Sequence, residues 1–362
     1  MAGFTTEIRE TQSGIFLDRL PVESGEWERG NPTGTKTHVY RLGDHDGLTR
    51  SDRRDLFQTR TRMLTVCFDG RPICHRPIRN LHFDDPTQTL TVTHEDIRAR
   101  GAKRKLWGTG AMTQQSMFDW RGYSLRGVVR QVLYYGFVHP YSAAWPLNVD
   151  VGGAETGSSP WAQFFAYDGQ TVDSILSMVE DMGPDIELEP EFRNGVAWWA
   201  ARVGTPYLTG PAFELPIRSV GKPGDGALTS VSQDRNGEEQ ATGVFTVGRG
   251  SEQDQRIGQF GLPVSYQVSA DFEIPYKEID DQATLNALAQ QWALAHAEPR
   301  IQVSATATTQ DIDPSLLRIG SMLGIMVDPN HAWLDPGVKQ HRVIGYAGTT
   351  ESDDFDLVFE EG

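Results

Sequence analysis

The sequence predicts a mainly β protein in which a small α+β region separates two β-rich regions. Residues 89–97 and 301–308 alternate threonine or serine with apolar side chains, which is typical of strands with one buried face. Between these strands, residues 124–137 and 171–183 place apolar side chains at helical spacing. A chain of 362 residues has room for two or three domains.

The first β-rich region is predicted to contain a hairpin followed by a third strand. Residues 62–78 form two apolar-rich runs around Asp69-Gly70, and Asp-Gly favours a type I′ turn because both central residues need positive φ. The strand 89–97 follows a polar turn at 83–88, so we expect a three-stranded meander. The two-residue turn predicts three facing pairs: Phe68 with Arg71, Cys67 with Pro72, and Val66 with Ile73.

The middle region is predicted to hold two helices and a second hairpin. Ser124 and Thr171 stand where helix N-caps belong. Asn194-Gly195 separates two strand-like runs, which is a second type I′ signal. We therefore expect a compact α+β unit here.

Glycine and proline mark the boundary of the last region. Residues 221–226, GKPGDG, have the composition of a linker. Strands are predicted on both sides of one alanine-rich helix at 280–299. These signals place domains at residues 1–100, 101–220 and 221–362, of which the last is β-rich with one helix.

The two β-rich regions share a pattern. In the first, strand 64–68 leads to the tripeptide 76–78, Arg-Pro-Ile, then to an acidic turn and a closing strand. In the second, strand 323–327 leads to the tripeptide 342–344, Arg-Val-Ile, another acidic turn and a closing strand. The echo predicts an internal duplication.

Charge is unevenly distributed along the chain. The net charge is −16, but residues 50–130 carry +8 and residues 131–362 carry −21. A strongly acidic protein is a poor general binder of nucleic acid. The uneven distribution reflects either two differently solvated surfaces or complementary surfaces that meet between copies. On the second interpretation, the candidate subunit-interface residues are Arg98, Arg100, Lys103, Arg104 and Lys105.

The sequence predicts no catalytic, cofactor-binding or metal site. Cys67 and Cys74 have no second cysteine pair beside them, so we expect reduced strand thiols. Most of the acidic pairs fall in predicted turns, where aspartate caps the backbone; the pairs are Asp84/Asp85, Glu180/Asp181, Asp280/Asp281 and Asp353/Asp354. Trp198 and Trp199 are the candidate glycan or interface aromatics, although neighbouring strand residues face opposite sides. No apolar run is long enough for a membrane span, and the first residues do not resemble a secretory signal.

Residues 64–104 resemble the N-terminal barrel of minor tail, or tail-hub, proteins of siphophages that infect actinobacteria. The family pattern is a strand, an Asp-Gly turn, an apolar residue, a Gly/Arg-Pro-Ile tripeptide, a polar turn, and a Thr/Leu/Val strand ending in an acidic pair. In this chain its members are Asp69-Gly70, Ile73, Arg76-Pro77-Ile78 and residues 90–96. The alanine-rich helix and the strands after it are similar to the C-terminal part of the same family.

The resemblance implies two tail-tube-type β-barrels in one chain plus the small α/β middle region. It also implies a structural virion component of a long non-contractile tail tip, assembled in the host cytoplasm. A homotrimeric hub of this kind would join the hexameric distal tail ring to tip proteins and line the DNA channel. Implied partners are the distal tail protein, the tape-measure protein, other tail-tip or receptor-binding proteins, and DNA in transit.

Three other functions remain open. The chain could be the hexameric distal tail protein, which carries one tube-type barrel. It could also be a tail-associated cell-wall hydrolase or a glycan-binding module that uses Trp198 or Trp199.

Overall fold

The structure is a computed structural model, and its elements are numbered here in chain order. The described residues are 3–32, 34–42, 47–106, 116–139, 146–217, 227–263, 268–277, 279–329, 331, 333–334 and 336–361. The predicted linker 221–226 lies outside the described residues.

The described part of the chain forms 21 strands and five α-helices. The strands are β1 Phe4–Glu10, β2 Phe16–Asp18, β3 Ser24–Arg29, β4 Thr35–Arg41, β5 Arg62–Phe68, β6 Arg71–Asp84, β7 Thr89–Glu95, β8 Met117–Asp119, β9 Val149–Asp150, β10 Gln163–Phe165, β11 Ile186–Arg193, β12 Val196–Val203, β13 Ala212–Pro216, β14 Leu228–Asn236, β15 Gly243–Val247, β16 Ile257–Gly261, β17 Asp271–Pro275, β18 Arg300–Thr308, β19 Met322–Val327, β20 Gly337–Thr349 and β21 Asp354–Glu361. The α-helices are α1 Arg50–Leu56, α2 Ile97–Gly101, α3 Leu125–Leu133, α4 Val172–Asp181 and α5 Gln282–Ala295.

Thirteen strands join into one sheet that runs through both β-rich regions. Its main path is β14-β18-β21-β20-β3-β4-β7-β6-β5-β1-β2, and β19 with β13 branches from β20. The prediction of a mainly β fold is confirmed. Among the described residues this path is open at both ends and does not close into a barrel.

Twelve of the thirteen strands form two six-stranded halves with the same pairing order, and β2 pairs with β1 outside them. The first half is β3-β4-β7-β6-β5-β1 and the second is β14-β18-β21-β20-β19-β13. Taken in chain order, the members also correspond one to one. The halves differ at one joint, because β1 runs antiparallel to β5 whereas β13 runs parallel to β19. The internal echo of the sequence therefore has a counterpart in strand order.

A β-bulge sits at the same place in the long strands β6 and β20. The register skips Arg79 where β6 pairs with β7, and it skips Ile344 where β20 pairs with β21. These bulges make Ile78 the counterpart of Val343, and both side chains are fully buried. Matching tripeptides in the sequence had instead aligned Ile78 with Ile344, which is wrong by one residue, because the bulge residue Arg79 is the counterpart of Ile344.

The first hairpin forms around the predicted turn. Asp69 and Gly70 have φ of 49° and 78°, as a type I′ turn requires. Phe68 faces Arg71 and Cys67 faces Pro72, as predicted. The predicted pair of Val66 with Ile73 is wrong, because a bulge after Val66 moves its partner to Cys74.

The two predicted helices and the predicted hairpin of the middle region are present, and they pack around an apolar cluster that also includes Met63 and Leu285. The side chains of Ser124 and Thr171 accept hydrogen bonds from the first turns of α3 and α4. Strands β11 and β12 pair across Asn194-Gly195, whose φ values are both positive. The apolar cluster between these elements contains the buried side chains of Trp120, Val128, Val129, Val132, Leu133, Phe137, Trp161, Phe164, Ile175, Leu176, Val179 and Trp199.

An insertion separates the first two strands of the second half. Between β14 and β18 the chain forms a three-stranded sheet, β16-β15-β17, and then α5. The helix begins at Asp281, whose carboxylate accepts from the Thr284 backbone N–H at 2.7 Å. The helix predicted over 280–299 is thus present, shorter by a few residues at each end.

Strand β3 joins the two halves inside one chain. It pairs with β4 at Ser24 and Gly25, then with the last four residues of β20. Trp27 on this strand is fully buried and lies in the same apolar cluster as Tyr346 and Phe355. The halves therefore share both a sheet and a core.

Gly30→Ala is expected to weaken this joint. Gly30 has φ of 84°, and an added Cβ would overlap the Ile344 carbonyl oxygen and lie 2.7 Å from Gly345 Cα. We expect the free energy of unfolding to fall by at least about 2 kcal/mol in chemical denaturation. Gly70→Ala is the matched control, because φ is 78° there and nothing lies within 4 Å of the added Cβ. Equal losses in both variants would contradict the steric argument.

Candidate assembly surfaces and the buried junction

Buried ion pairs tie the β11–β12 hairpin of the middle region to the first half of the sheet. Arg29, at the end of β3, forms an ion pair with Glu187 on β11, and Arg202 on β12 lies 3.0 Å from the same carboxylate. Burial by itself lowers the pKa of Arg29, but Glu187, Tyr346 and Glu189 together more than offset this and raise it. The Arg29 guanidinium therefore stays charged inside the protein.

A second set of ion pairs ties the same hairpin to the second half. Arg342 on β20 pairs with Asp185, just before β11, and with Glu360 on β21. The Arg342 guanidinium also lies 4.4 Å from the centre of the Tyr207 ring. Asp185 in addition accepts a hydrogen bond of 2.9 Å from the Leu208 N–H. The hairpin is thus clamped to both halves by charge.

A polar cavity of about 330 Å³ lies where these parts meet. Its wall includes Arg29, Glu187 and Asp96. Burial raises the pKa of Asp96, although Arg76 opposes the shift. The Asp96 carboxylate accepts from the Arg98 N–H at 2.8 Å and caps α2. Its contacts are those of a structural cap, and in the described residues no cluster of three His, Cys, Asp or Glu could hold a metal ion.

The first of the predicted interface cations is buried inside the chain. Arg98, on α2, lies 2.8 Å from Asp173 and makes a two-pronged ion pair with Glu180, both on α4. Its side chain is 7% exposed. Arg98 therefore fastens the first half of the sheet to the middle region.

The other four cations lie nearer the surface. Arg100 and Lys103 reach Glu95 at 3.3 Å and 3.5 Å, and the Lys105 ammonium donates to the Gly169 carbonyl. Burial lowers the pKa of Arg104. Lys103 has 61% of its side chain exposed. A subunit interface formed by Lys103 and its neighbours stays a prediction.

The two tryptophans occupy opposite faces of β12. Trp199 is 1% exposed and packs edge-on against His75, with ring centres 5.6 Å apart. Trp198 is half-buried, and the Arg193 guanidinium lies 4.9 Å from its ring centre. A glycan could reach only Trp198, and its role as a glycan or interface contact stays a prediction.

Three histidines are buried in the first half of the sheet. His38 and His94 contact each other, with 2.8 Å between His38 Nδ1 and His94 Nε2. Burial, followed by the nearby Arg76, lowers the pKa of His38 to about 3. His75 lies elsewhere: its Nδ1 is 2.9 Å from Thr65 Oγ1 and its Nε2 is 3.2 Å from the Glu191 carbonyl oxygen. These rings are neutral packing groups in the folded protein.

Sequence reasoning missed the junction and the histidine pair. The local signal for the junction is the carboxylate at every second position of one strand, at Glu187, Glu189 and Glu191. A carboxylate at every second position marks one polar face, but it does not identify the arginines that meet it. Arg29 is 158 residues away from Glu187.

Comparisons with known proteins identify solved structures that have a similar fold. No protein-family model and no curated protein sequence matches the chain. A prophage MuSo2 43 kDa tail protein from Shewanella oneidensis is similar in structure, with a TM-score of 0.61, 10% identity, and 99% and 98% of the two chains covered. A tail protein from Neisseria meningitidis MC58 gives 0.57, 12%, 99% and 97%. A chain of the half-lidded Francisella PdpA–VgrG complex gives 0.53 at 8% identity, with 58% of that chain covered.

The fold is therefore one that occurs in phage tail proteins and extends over nearly the whole chain. The described residues contain no helix that is long and apolar enough to cross a bilayer.

Proposed function

We propose that this protein is a non-enzymatic structural component of a phage tail tip, and that it assembles as a homotrimeric hub. The fold shared with tail proteins supports the tail assignment. The repeated strand order supports the stoichiometry, because each chain carries two equivalent halves. Three chains would present six such halves, and each half would complete a tube-type barrel in the ring. This pseudo-six-fold hub would match a hexameric distal tail ring.

The domain division at residues 100 and 220 is part of the proposal. Two tube-type units would form the ring, and the middle region would sit on it, held by Arg29, Arg98 and Arg342. Strand β13, although it precedes residue 220, pairs with β19 of the second half. On that pairing, β13 would belong with the second unit.

The hub would join the distal tail ring to the tape-measure protein and to tip or receptor-binding proteins. DNA would pass through its channel without being retained. The charge of −21 over residues 131–362 supports this, since acidic surface repels phosphate. Assembly would take place in the host cytoplasm of a siphophage, with actinobacteria as the hosts implied by the sequence resemblance. Salt-insensitive binding of DNA to the purified protein would contradict the repulsive channel.

The expected mass in solution is that of three chains. Light scattering over a concentration series should approach about 121 kDa for three chains of 40.3 kDa each. Higher salt should weaken the trimer if complementary charge holds it together. A mass of six chains would favour the hexameric distal tail protein instead. A monomer at every concentration would contradict the homotrimer and would make wall-digestion and glycan-binding assays the next measurements.

The acidic pairs do not favour the hydrolase alternative. Asp281 caps α5, and Glu180 is held by Arg98. The Asp84 carboxylate accepts from the Thr87 N–H at 3.2 Å in its turn, and the Asp353 carboxylate accepts from the Thr309 hydroxyl at 3.2 Å. Each of these carboxylates has a local structural contact, so we expect no release of sugar from cell-wall preparations.

A further inference from the structure

We propose that β14 of one copy pairs with the outer end of β6 of the next copy. The joint between β3 and β20 inside one chain is then repeated between chains. This inference rests on the proposed trimer, and it names the strands and the register that close the ring.

The internal joint gives the template. Four residues of β20, from Tyr346 to Thr349, run antiparallel to β3 from Arg29 back to Glu26. They lie on the edge of β20 that β19 leaves free, because β19 ends its pairing at Arg342. In this template, the end of one strand extends beyond its neighbour in the sheet. A strand from the other half then pairs with the free edge of that end.

Strand β6 carries the same kind of free end. Its pairing with β5 ends at Pro77, and β7 covers the opposite edge as far as Asp84. The shared bulge makes residues 79–84 the counterpart of residues 344–349. Among the described residues no strand pairs with this edge, and Phe83 is 46% exposed there. An unpaired edge with an exposed aromatic side chain is a ready site for another strand.

Strand β14 carries the complementary free edge. In the first half Gly25 of β3 faces His38 of β4, and in the second half Val231 of β14 faces Ala305 of β18. His38 in turn faces Val92 of β7, and Ala305 faces Leu357 of β21. Val92 and Leu357 are counterparts, because each faces the residue two places after the bulge. Residues 232–235 therefore correspond to residues 26–29. Within the described residues the outer edge of β14 has only one bridge, at its first residue.

The template then fixes the register between copies. Superposing the two correspondences places four residues of β6 opposite four residues of the next copy's β14. The predicted facing pairs are Leu81 with Arg235, His82 with Asp234, Phe83 with Gln233, and Asp84 with Ser232.

Side-chain size supports this register. In the internal joint the β20 residue is small and the β3 residue is large, since Gly348 faces Trp27. Between copies the sizes are exchanged: the β6 residue, Phe83, is large and the β14 residue, Gln233, is smaller. Gln233 lies in a groove beside β14 whose wall includes Val303 and Val327. Phe83 would face this groove, in which the Trp333 indole N–H also donates to the Gln233 side chain at 2.8 Å.

The proposed joint is a head-to-tail contact, which can close the copies into a ring. The two partners are different strands, so each copy offers one free edge at each end of its repeat. Head-to-tail contacts of this type give rings when the rotation closes. The internal joint already sets the rotation from one half to the next, and the same joint between chains continues it.

The experiment is disulfide cross-linking of the full-length protein. His82→Cys combined with Asp234→Cys should give covalent dimers and trimers on non-reducing gels after mild oxidation. Facing residues in an antiparallel pair have Cα atoms about 4.5–5.5 Å apart, which suits a disulfide. The native Cys67 and Cys74 are buried, and burial raises the pKa of Cys67 to about 12, so both thiols should remain unreactive.

Two matched variants make the result readable. Glu28→Cys with Ala347→Cys places a cysteine pair across the internal joint, and it should form a disulfide within one chain. His82→Cys with Ser230→Cys shifts the contact by four residues, or about 14 Å along the strand. This second variant should give at least about tenfold less cross-linked product, because 14 Å is too long for a disulfide.

The outcomes separate the joint from the stoichiometry. A native trimer that fails to cross-link while the internal control succeeds would overturn the joint and leave the hub standing. A cross-linked ladder that continues to six chains would support the joint and overturn the trimer. Equal cross-linking in the two registers would also overturn the joint.

An exposed aromatic substitution gives an independent test. Phe83→Asp should raise the midpoint concentration of trimer dissociation at least about tenfold, with an unchanged far-UV spectrum. Tyr167→Asp is the matched control, because Tyr167 is also exposed but lies in the middle region. An equal shift in both variants, or none with Phe83→Asp, would overturn the proposal.

Discussion

Glu187→Ala is expected to lower the free energy of unfolding by about 3–5 kcal/mol, because it leaves Arg29 buried without its carboxylate. The Arg29 side chain is 7% exposed, so water cannot easily replace Glu187. Arg202 would lose the same contact but keeps Glu189 at 3.3 Å. Chemical denaturation followed by tryptophan fluorescence would measure the loss, since Trp27 and Trp199 are buried on the two sides of this junction.

An exposed pair and an uncharged replacement provide the controls. Glu23→Ala removes the partner of Arg41 at the surface, where both side chains are more than a third exposed, and should cost less than about 1 kcal/mol. Replacing the buried pair by Arg29→Met with Glu187→Leu should recover most of the loss, because no buried charge is then left alone. Similar losses for Glu187→Ala and Glu23→Ala would contradict the junction.

Local features of the fold were predictable because the determining residues are adjacent. Asp69-Gly70 and Asn194-Gly195 each form the turn that their permitted φ values favour. Ser124 and Thr171 cap the helices that their side chains begin. In each case the decisive contact lies within a few residues of the signal, so the sequence alone contains it.

Features that depend on packing between distant segments were not predictable. The bulge after Val66 shifts a register that an ideal hairpin would keep. The pairing of β3 with β20 joins residues more than 300 positions apart. The composition of β3 and β20 does not reveal this pairing, because strands pair through backbone groups, which are the same in every strand.

The same contrast between local and distant contacts applies to the candidate interface cations. The charge asymmetry singled out the basic segment at residues 98–105 as a candidate subunit interface, which stays a prediction. It did not reveal that Arg98 forms ion pairs with Asp173 and Glu180 inside the chain. A cation in a sequence carries no information about which carboxylate will reach it, and only the packing of α2 against α4 decides that.

Acidification from pH 7 to pH 5 is expected to destabilise the protein by several kcal/mol, with His75 contributing about 2 kcal/mol. Burial, only partly offset by the hydrogen bond to Glu191, lowers the pKa of His75 to about 3, against about 6.5 in an unfolded chain. The folded ring stays neutral while the unfolded ring takes up a proton. Its stabilising contribution is therefore complete above pH 6.5 and is lost progressively toward pH 3. Burial lowers the pKa of His38 and His94 in the same direction.

The measurement is the free energy of unfolding at pH 7 and at pH 5 in the full-length protein and two histidine variants. His75→Gln can still donate to the Glu191 carbonyl but cannot titrate, so the loss between the two pH values should shrink by about 2 kcal/mol. His331→Gln removes an exposed histidine outside the proposed joint and should leave the loss unchanged. Because the comparison is a difference between two pH values, any fixed packing cost of the substitution cancels. An undiminished loss in His75→Gln would show that His75 takes up a proton in the folded protein as readily as in the unfolded chain, and would leave the pair of His38 and His94 to account for the whole effect.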